Sequence, residues 1–316
     1  MKKLISIVIP TYNEDANIEE LSKQVELNIN NYVSYYNYEI IFIDNCSTDK
    51  TQEIIRKLCL KNKKIKAIFN KRNFGYIRSP YYGMIQANGA AVILIAGDLE
   101  TPPDSIPNLI KKWENGAKVV LFRRISTNRN FFLEFIKIFY YKFINLISST
   151  SLSIKTTGEG LFDRGVINEL KKIKDPYPYL RGLVFEIEDN IEFEDFSQIK
   201  RTKGKSKSNL FNLIEVALTG IVNHSKTPIR FVTFTGILGS LISFLIGLFF
   251  LLYKLLHWDS FQLGLAPLLV GFYFGISILI FMLGIIGEYV GFLFTRAKNM
   301  PLVFEKERIN FDSDSK

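Results

Sequence analysis

The sequence predicts an α/β fold: a mostly parallel sheet with helices between its strands, followed by a pair of long apolar segments. Three observations predict it. Over residues 1–125, short apolar runs alternate with helical patterns, as strand–helix–strand units require. Polar residues follow three of those runs, at Tyr12-Asn13-Glu14, Asp44-Asn45 and Asp98-Leu99-Glu100. Open sheets bind ligands beyond the carboxyl ends of their strands, so these are the places to look for a site. Residues 231–253 and 262–287 carry no charge, and each is long enough to cross a ~30 Å hydrocarbon core.

Taken in order, residues 4–10 read as the first strand. Asn17, with Glu20 three later, reads as a capping box opening a helix. Residues 39–44 and 65–70 are the second and third strands. Ser79-Pro80 reads as a helix start, with Ser as cap and Pro at the first helical position. Residues 92–96 and 118–122 complete the set. Residues 131–147 are aromatic and aliphatic but carry Glu134, Lys137, Lys142 and Asn145 on one stripe. That pattern suits a helix lying in a membrane interface, or an ordinary amphipathic core helix. Residues 209–223 form a second such pattern. The two uncharged runs read as a transmembrane pair, glycine-rich as lipid-embedded helices are. Lys226 and Arg230 before the pair, and Arg296 and Lys298 after it, put both termini in the cytoplasm and the protein in the cytoplasmic membrane. The expected units are 1–125, 126–228, 229–296 and a cytoplasmic tail over 297–316.

The composition narrows the chemistry. A net charge of +9 over 316 residues favours anionic partners. Two cysteines, Cys46 and Cys59, and two histidines, His224 and His257, form no zinc-type spacing. Neither a GxGxxG nor a Walker loop occurs, which removes dinucleotide and P-loop readings. Nucleic acid fits poorly, because interleaved aromatics and a binding fold are missing.

Asp98 and Glu100 stand two apart. In an extended segment they point to one side, and hard oxygen ligands of that kind suit Mg²⁺ or Mn²⁺ shared with substrate phosphates. The alternative is that Asp98 caps the next turn and Glu100 is solvated. Asp44 either accepts hydrogen bonds from a nucleotide or caps its own turn. Basic residues gather at Arg123, Arg124 and Arg129, and again from Lys200 to Lys207. Both clusters suit phosphate, and both also suit a solvated loop.

These pieces, in this order, resemble the family 2 glycosyltransferases of the glycosyltransferase-A fold, nearest to the membrane-anchored polyprenyl-phosphate group related to dolichyl-phosphate mannose synthases. The stretches that carry the resemblance are "SIVIPTYNEDANIEEL", "EIIFIDNCSTDKT", "KRNFGY", "AGDLETPPDSIPNLIKKWENGAKVV", "PYLRGL", "RTKGKSKSNL" and "LGIIGEYVG". The resemblance implies metal-dependent, inverting transfer of a sugar from a nucleotide donor, UDP favoured, to undecaprenyl phosphate. It implies that Pro10, Tyr12, Glu14, Asp44, Asn45 and Asp98 bind the nucleotide, and that Arg124, Arg129, Arg201 and Lys205 bind phosphates. Asp98 and Glu100 would hold Mg²⁺ or Mn²⁺, and Asp98, Glu159 and Arg124 would be catalytic. The chain departs from the family pattern at Ala96, where the first Asp of a DXD motif is expected, and in "TGEGLFD", where Glu159 is the nearby acid. Glu100, where the family usually has Gln, is expected to restore the charge lost at Ala96. A lipid-linked hydroxyl acceptor, or an inactive nucleotide-sugar-binding scaffold, remains the alternative function. A homo-oligomer is left open.

Overall fold

A computed structural model describes residues 2–125, 156–197, 232–239, scattered positions between 241 and 256, 265–297 and 300–311. The elements run β1 (Leu4–Thr11), α1 (Ile18–Tyr32), β2 (Asn37–Asp44), α2 (Thr51–Lys61), β3 (Ile65–Asn70), α3 (Gly75–Gln86), β4 (Ala91–Leu94), α4 (Ile106–Glu114) and β5 (Val119–Arg124). They continue with β6 (Thr156–Asp163), α5 (Arg164–Lys172), α6 (Leu180–Ile187), β7 (Ile191–Phe196), α7 (Leu265–Ala297) and β8 (Glu305–Ile309).

The strands form one mixed sheet in the order β7-β5-β6-β4-β1-β2-β3-β8. Its centre, β4-β1-β2-β3, is parallel. These strands are buried on both faces, which is why they read as continuous apolar runs. Alternation along each strand sorts the side chains between two cores. Ile7, Ile9, Ile40 and Phe42 pack on the face covered by α1, α2 and α4. Val8, Ile41, Ile43 and Tyr81 pack on the face covered by α3 and α5.

The outer strands come from elsewhere in the chain. β6 lies antiparallel between β4 and β5, and β7 runs parallel beside β5. β8 lies antiparallel on β3. The stretch expected as a tail thus supplies the edge strand of the sheet. Gly160 pairs with Leu121 of β5. Its φ is +149°, and a Cβ there would fall 2.0 Å from the Val120 carbonyl oxygen.

Several local expectations need correction. Helix α1 does begin after Asn17, but the Asn17 side chain makes no cap bond. Its Nδ2 turns back and donates to Glu14 Oε2 at 2.9 Å, so no capping box forms. Helix α3 begins at Gly75, well before Ser79, and Pro80 lies inside it. Gly75, with φ of +82°, makes the turn into the helix, while the Ser79 hydroxyl accepts from Asn70 Nδ2 at 3.1 Å.

The membrane placement is also corrected. A span needs about 20 consecutive apolar residues in one helix. Among the described residues no helix is long and apolar enough to cross a membrane, so the two-helix anchor and the multi-pass cytoplasmic-membrane location derived from it are not upheld. Residues 232–239 are helical, and α7 covers the second run. The expected amphipathic helices, 131–147 and 209–223, lie outside the described residues.

Candidate active site

The direction of the strands brings one set of side chains to one edge of the sheet. β1, β2, β4 and β5 all end there, and β6, running the other way, begins there. Gly97 draws the end of β4 against β1. Its N–H donates to the Pro10 carbonyl at 3.3 Å, and a Cβ at Gly97 would sit 3.0 Å from that same oxygen.

On the β1–β2 side the polar groups satisfy one another. Asp44 is fully buried. It accepts from the Ser47 N–H at 3.0 Å and from Gln52 Nε2 at 2.7 Å, and the Ser47 hydroxyl donates to it as well. Burial raises its pKa, and the Ser47 and Gln52 bonds pull it back. Asn13, at φ +54°, donates its N–H to Ser47 Oγ at 2.8 Å and accepts from the Thr48 N–H at 2.7 Å. The Glu14 N–H donates to Thr51 Oγ1 at 2.8 Å. These bonds tie the loop after β1 to the loop after β2 and leave Tyr12, partly exposed, at the lip between them. The Asn45 amide makes four bonds. Its Oδ1 accepts from the Phe74 N–H at 2.8 Å and Asn70 Nδ2 at 3.2 Å. Its Nδ2 donates to Asn73 Oδ1 at 2.7 Å and the Gly75 carbonyl at 3.1 Å.

On the β4–β5–β6 side the groups are charged. Asp98 and Glu100 do not share an extended face. Leu99 has φ of +58°, and the Glu100 N–H folds back onto Asp98 Oδ1 at 3.1 Å. The segment is a turn, so the period-two argument does not apply to it. Glu100 Oε2 lies 3.6 Å from Arg124 Nη2. Arg124 Nε is buried and has no hydrogen-bond partner among the described residues.

Glu159 sits opposite the end of β4, one residue before the Gly160–Leu94 pairing. Its Oε2 accepts from Thr101 Oγ1 at 2.8 Å and from the Ala96 N–H at 3.4 Å. Ala96, with no side chain beyond Cβ, leaves Glu159 free to reach that backbone. Burial pushes the Glu159 carboxyl up to about 7. The Thr101 hydrogen bond opposes that rise, the Asp98 charge adds to it, and Arg124 opposes it.

The donor set for a divalent cation is sparse. Among the described residues no group of three or more His, Cys, Asp or Glu side chains could hold one. Glu100 is engaged by Arg124, while Asp98 keeps a partial opening to solvent. These residues fit an ion that Asp98 shares with substrate phosphates, the usual arrangement for Mg²⁺. They do not fit an all-protein cage.

Residues 6–171 match the description "Glycosyl transferase family 2". The chain belongs to that family. It is 32% identical over 298 residues to the uncharacterized glycosyltransferase YkcC of Bacillus subtilis (strain 168), covering 94% of this chain and 91% of that one. It is 30% identical over 298 residues to the SfII prophage-derived bactoprenol glucosyl transferase of Shigella flexneri, covering 94% and 96%. Among solved structures it is similar in fold to glucosyl-3-phosphoglycerate synthase from Mycobacterium tuberculosis in complex with UDP. There the TM-score is 0.50 and the identity 17%, covering 70% of this chain and 78% of that one. The mixed sheet is therefore a glycosyltransferase-A-like fold, and the protein is a glycosyltransferase.

In this family 2 enzyme the structure brings together Pro10, Tyr12, Glu14, Asp44, Asn45, Asp98, Glu100, Arg124 and Glu159 along one sheet edge. Arg129, Arg201 and Lys205 lie outside the described residues. Sequence reading missed Thr101, the hydrogen-bond donor to Glu159, because a threonine before two prolines reads as a turn residue. It also missed Arg181, whose Nη2 donates to the Thr156 carbonyl at the start of β6. The "PYLRGL" stretch contained that signal.

Proposed function

We propose that this enzyme transfers a sugar from a nucleotide sugar to a polyprenyl phosphate, with inversion and with Mg²⁺ or Mn²⁺. The observation that carries the reading is the split edge: a closed hydrogen-bonded network at Asp44 beside a charged cluster at Asp98, Arg124 and Glu159. The similarity over nearly the whole chain to a bactoprenol glucosyl transferase supports the acceptor and makes UDP-glucose the first donor to test. Asp44, Tyr12 and Glu14 bind the nucleoside. Asp98 faces the diphosphate and is the protein ligand of the cation, whose chemistry is to offset charge on the departing diphosphate. Arg124 offers its unpartnered Nε to a phosphate oxygen.

The acceptor needs little activation. A phosphate monoester has a second pKa of ~6 and is mostly dianionic at neutral pH. One of its oxygens attacks the anomeric carbon, the bond from that carbon to the diphosphate breaks, and the nucleoside diphosphate leaves. The residues orient these groups and stabilise the leaving charge.

A second reading has a specific support. A hydroxyl acceptor needs a general base, and a carboxyl held at about 7 is suited to that task. Asp163 does not compete for the role: it caps α5 and accepts from Trp113 Nε1 at 2.8 Å. One assay separates the readings. Purified protein in detergent receives undecaprenyl phosphate, Mg²⁺ or Mn²⁺ and a panel of nucleotide sugars, and the organic extract is examined by mass spectrometry. The expected product is a lipid monophosphate sugar, lost with EDTA. Absence of product from every donor, while UDP still binds, would overturn the polyprenyl phosphate reading in favour of a hydroxyl acceptor or an inactive nucleotide-sugar-binding scaffold.

A further inference from the structure

The loop from Asn70 to Gly75 lies between two structures that the sequence keeps far apart. On its inner side is Asn45, next to the buried Asp44. Asn45 spends its two amide protons and two oxygen lone pairs on this loop, on Asn70, Asn73, Phe74 and Gly75. An amide side chain has no further bond to give, so Asn45 fixes the loop and does not reach a ligand itself.

On the outer side is the C-terminal segment. β8 pairs with β3 up to Asn70. The ladder then continues into the loop, where the Lys71 N–H donates to the Phe304 carbonyl at 2.8 Å. The Phe304 ring packs on Phe74 at 6.1 Å between centroids. Arg78, buried at 8% exposure, anchors the approach to β8: its Nε donates to the Leu302 carbonyl at 2.7 Å and its Nη2 to the Pro301 carbonyl at 2.8 Å. The same guanidinium stacks over Phe74, 5.2 Å from the ring centre. Phe74 is therefore gripped by Asn45 through its N–H and by Phe304 and Arg78 through its ring. Lys71 and Arg72, both exposed, ride on this loop at the carboxyl end of β3, and the Arg72 guanidinium lies over the Phe74 ring, 4.8 Å from its centre.

We propose that Phe304 and Arg78 are positioning residues for donor binding: the C-terminal strand sets the Asn70–Gly75 loop that walls the nucleoside side of the site, next to Asp44. This rests on the reading that the nucleotide lies beside Asp44. Aromatic packing and two charge-assisted hydrogen bonds to main-chain carbonyls give the grip its strength. Loss of either should loosen the loop without touching Asp98, Arg124 or Glu159.

The test uses the full chain. UDP affinity is measured by calorimetry, and donor KM and kcat by transfer assay, for Phe304→Ala, Arg78→Gln and a control, Glu307→Gln. Glu307 lies on the same strand but pairs with Arg56 of α2 at 2.6 Å. The expected result is a rise of about fivefold to tenfold in the UDP Kd and donor KM for the first two variants, within the usual range of coupling between sites. The kcat should stay within about twofold, and Glu307→Gln should match the parent. Phe304→Ala combined with Asn45→Ala should fall short of the product of the two single effects, since both loosen one loop. Unchanged UDP affinity in both variants, or a drop in melting temperature alone, would overturn the inference. Failure of the unmodified protein to bind UDP would instead sink the nucleotide reading on which it rests.

Discussion

The two halves of the active edge are built on opposite principles. Beside Asp44, each bond is made within the protein: Ser47, Gln52, Asn13 and Thr48 close on one another before any ligand arrives. Beside Asp98, charges face one another at longer range. Glu100 and Arg124 stand 3.6 Å apart, Arg124 Nε has no partner among the described residues, and Glu159 is held up near neutrality. A closed network gives a rigid, preformed framework. The charged half leaves the Arg124 Nε, without a partner among the described residues, for an anion. The first half suits recognition and the second suits the step in which charge moves.

Substitutions can break this contrast, and the largest effect belongs to the charged half. Asp98→Ala should lower kcat by about 10²–10³, the range seen when one group that stabilises transition-state charge is removed. Its effect on melting temperature should be small; a large loss of stability with kcat intact would show that Asp98 only builds the turn.

Glu159→Gln should separate the halves by pH. The Glu159 carboxyl lies near 4.5 when unfolded and about 7 when folded. The folded protein therefore favours the protonated form, and stability is full below pH 4.5 and falls as pH rises through 7. Glutamine mimics the protonated state, so the variant should match the parent below pH 4.5 and exceed it above pH 7, by on the order of 3 kcal/mol. Thermal melts across pH in metal-free buffer read this directly, and parallel curves would remove Glu159 from the charged half.

Smaller effects sharpen the boundary. Thr101→Val should cost about 1 kcal/mol of stability at pH 8 by removing the hydroxyl that steadies the Glu159 carboxylate, with Thr101→Ser restoring it. Ser47→Ala, on the Asp44 side, should cost a similar ~1 kcal/mol, but equally at pH 6 and pH 8. A pH-dependent loss at Ser47 would mean that Asp44 changes charge in this range and that the two halves are not distinct.

Much of the fold was legible because parallel strands buried on both faces announce themselves. The third strand, Ile65–Asn70, was read with its observed bounds. The first and second strands proved longer by one and two residues, the fifth starts one residue later and ends two later, and the fourth starts one earlier and ends two earlier. β8 was not legible. Its sequence, EKERI, is charged and shows no apolar run, since an edge strand needs only one buried face and gains from charge on the other. The positions of Asp44 and Asp98 at strand ends were also readable, because topology alone puts them there. The relation of Asp98 to Glu100 was not. It turned on a single left-handed residue, Leu99, that sequence patterns do not mark. Glu159 could be named as an acid, but its place beside Ala96 depends on a strand crossing that joins residues far apart in the chain.

The pairing of β3 with β8 also sets a clock. Arg56 and Glu307, which meet across this edge, are 251 residues apart in the chain. At 5–20 residues per second, synthesis leaves roughly 10–50 s between the two. During that interval the outer edge of β3 has no strand beside it, and an unpaired edge invites pairing with another chain. The nascent enzyme therefore carries an open sheet edge while it is being made, and that edge is sealed only once Glu305–Ile309 has left the ribosome.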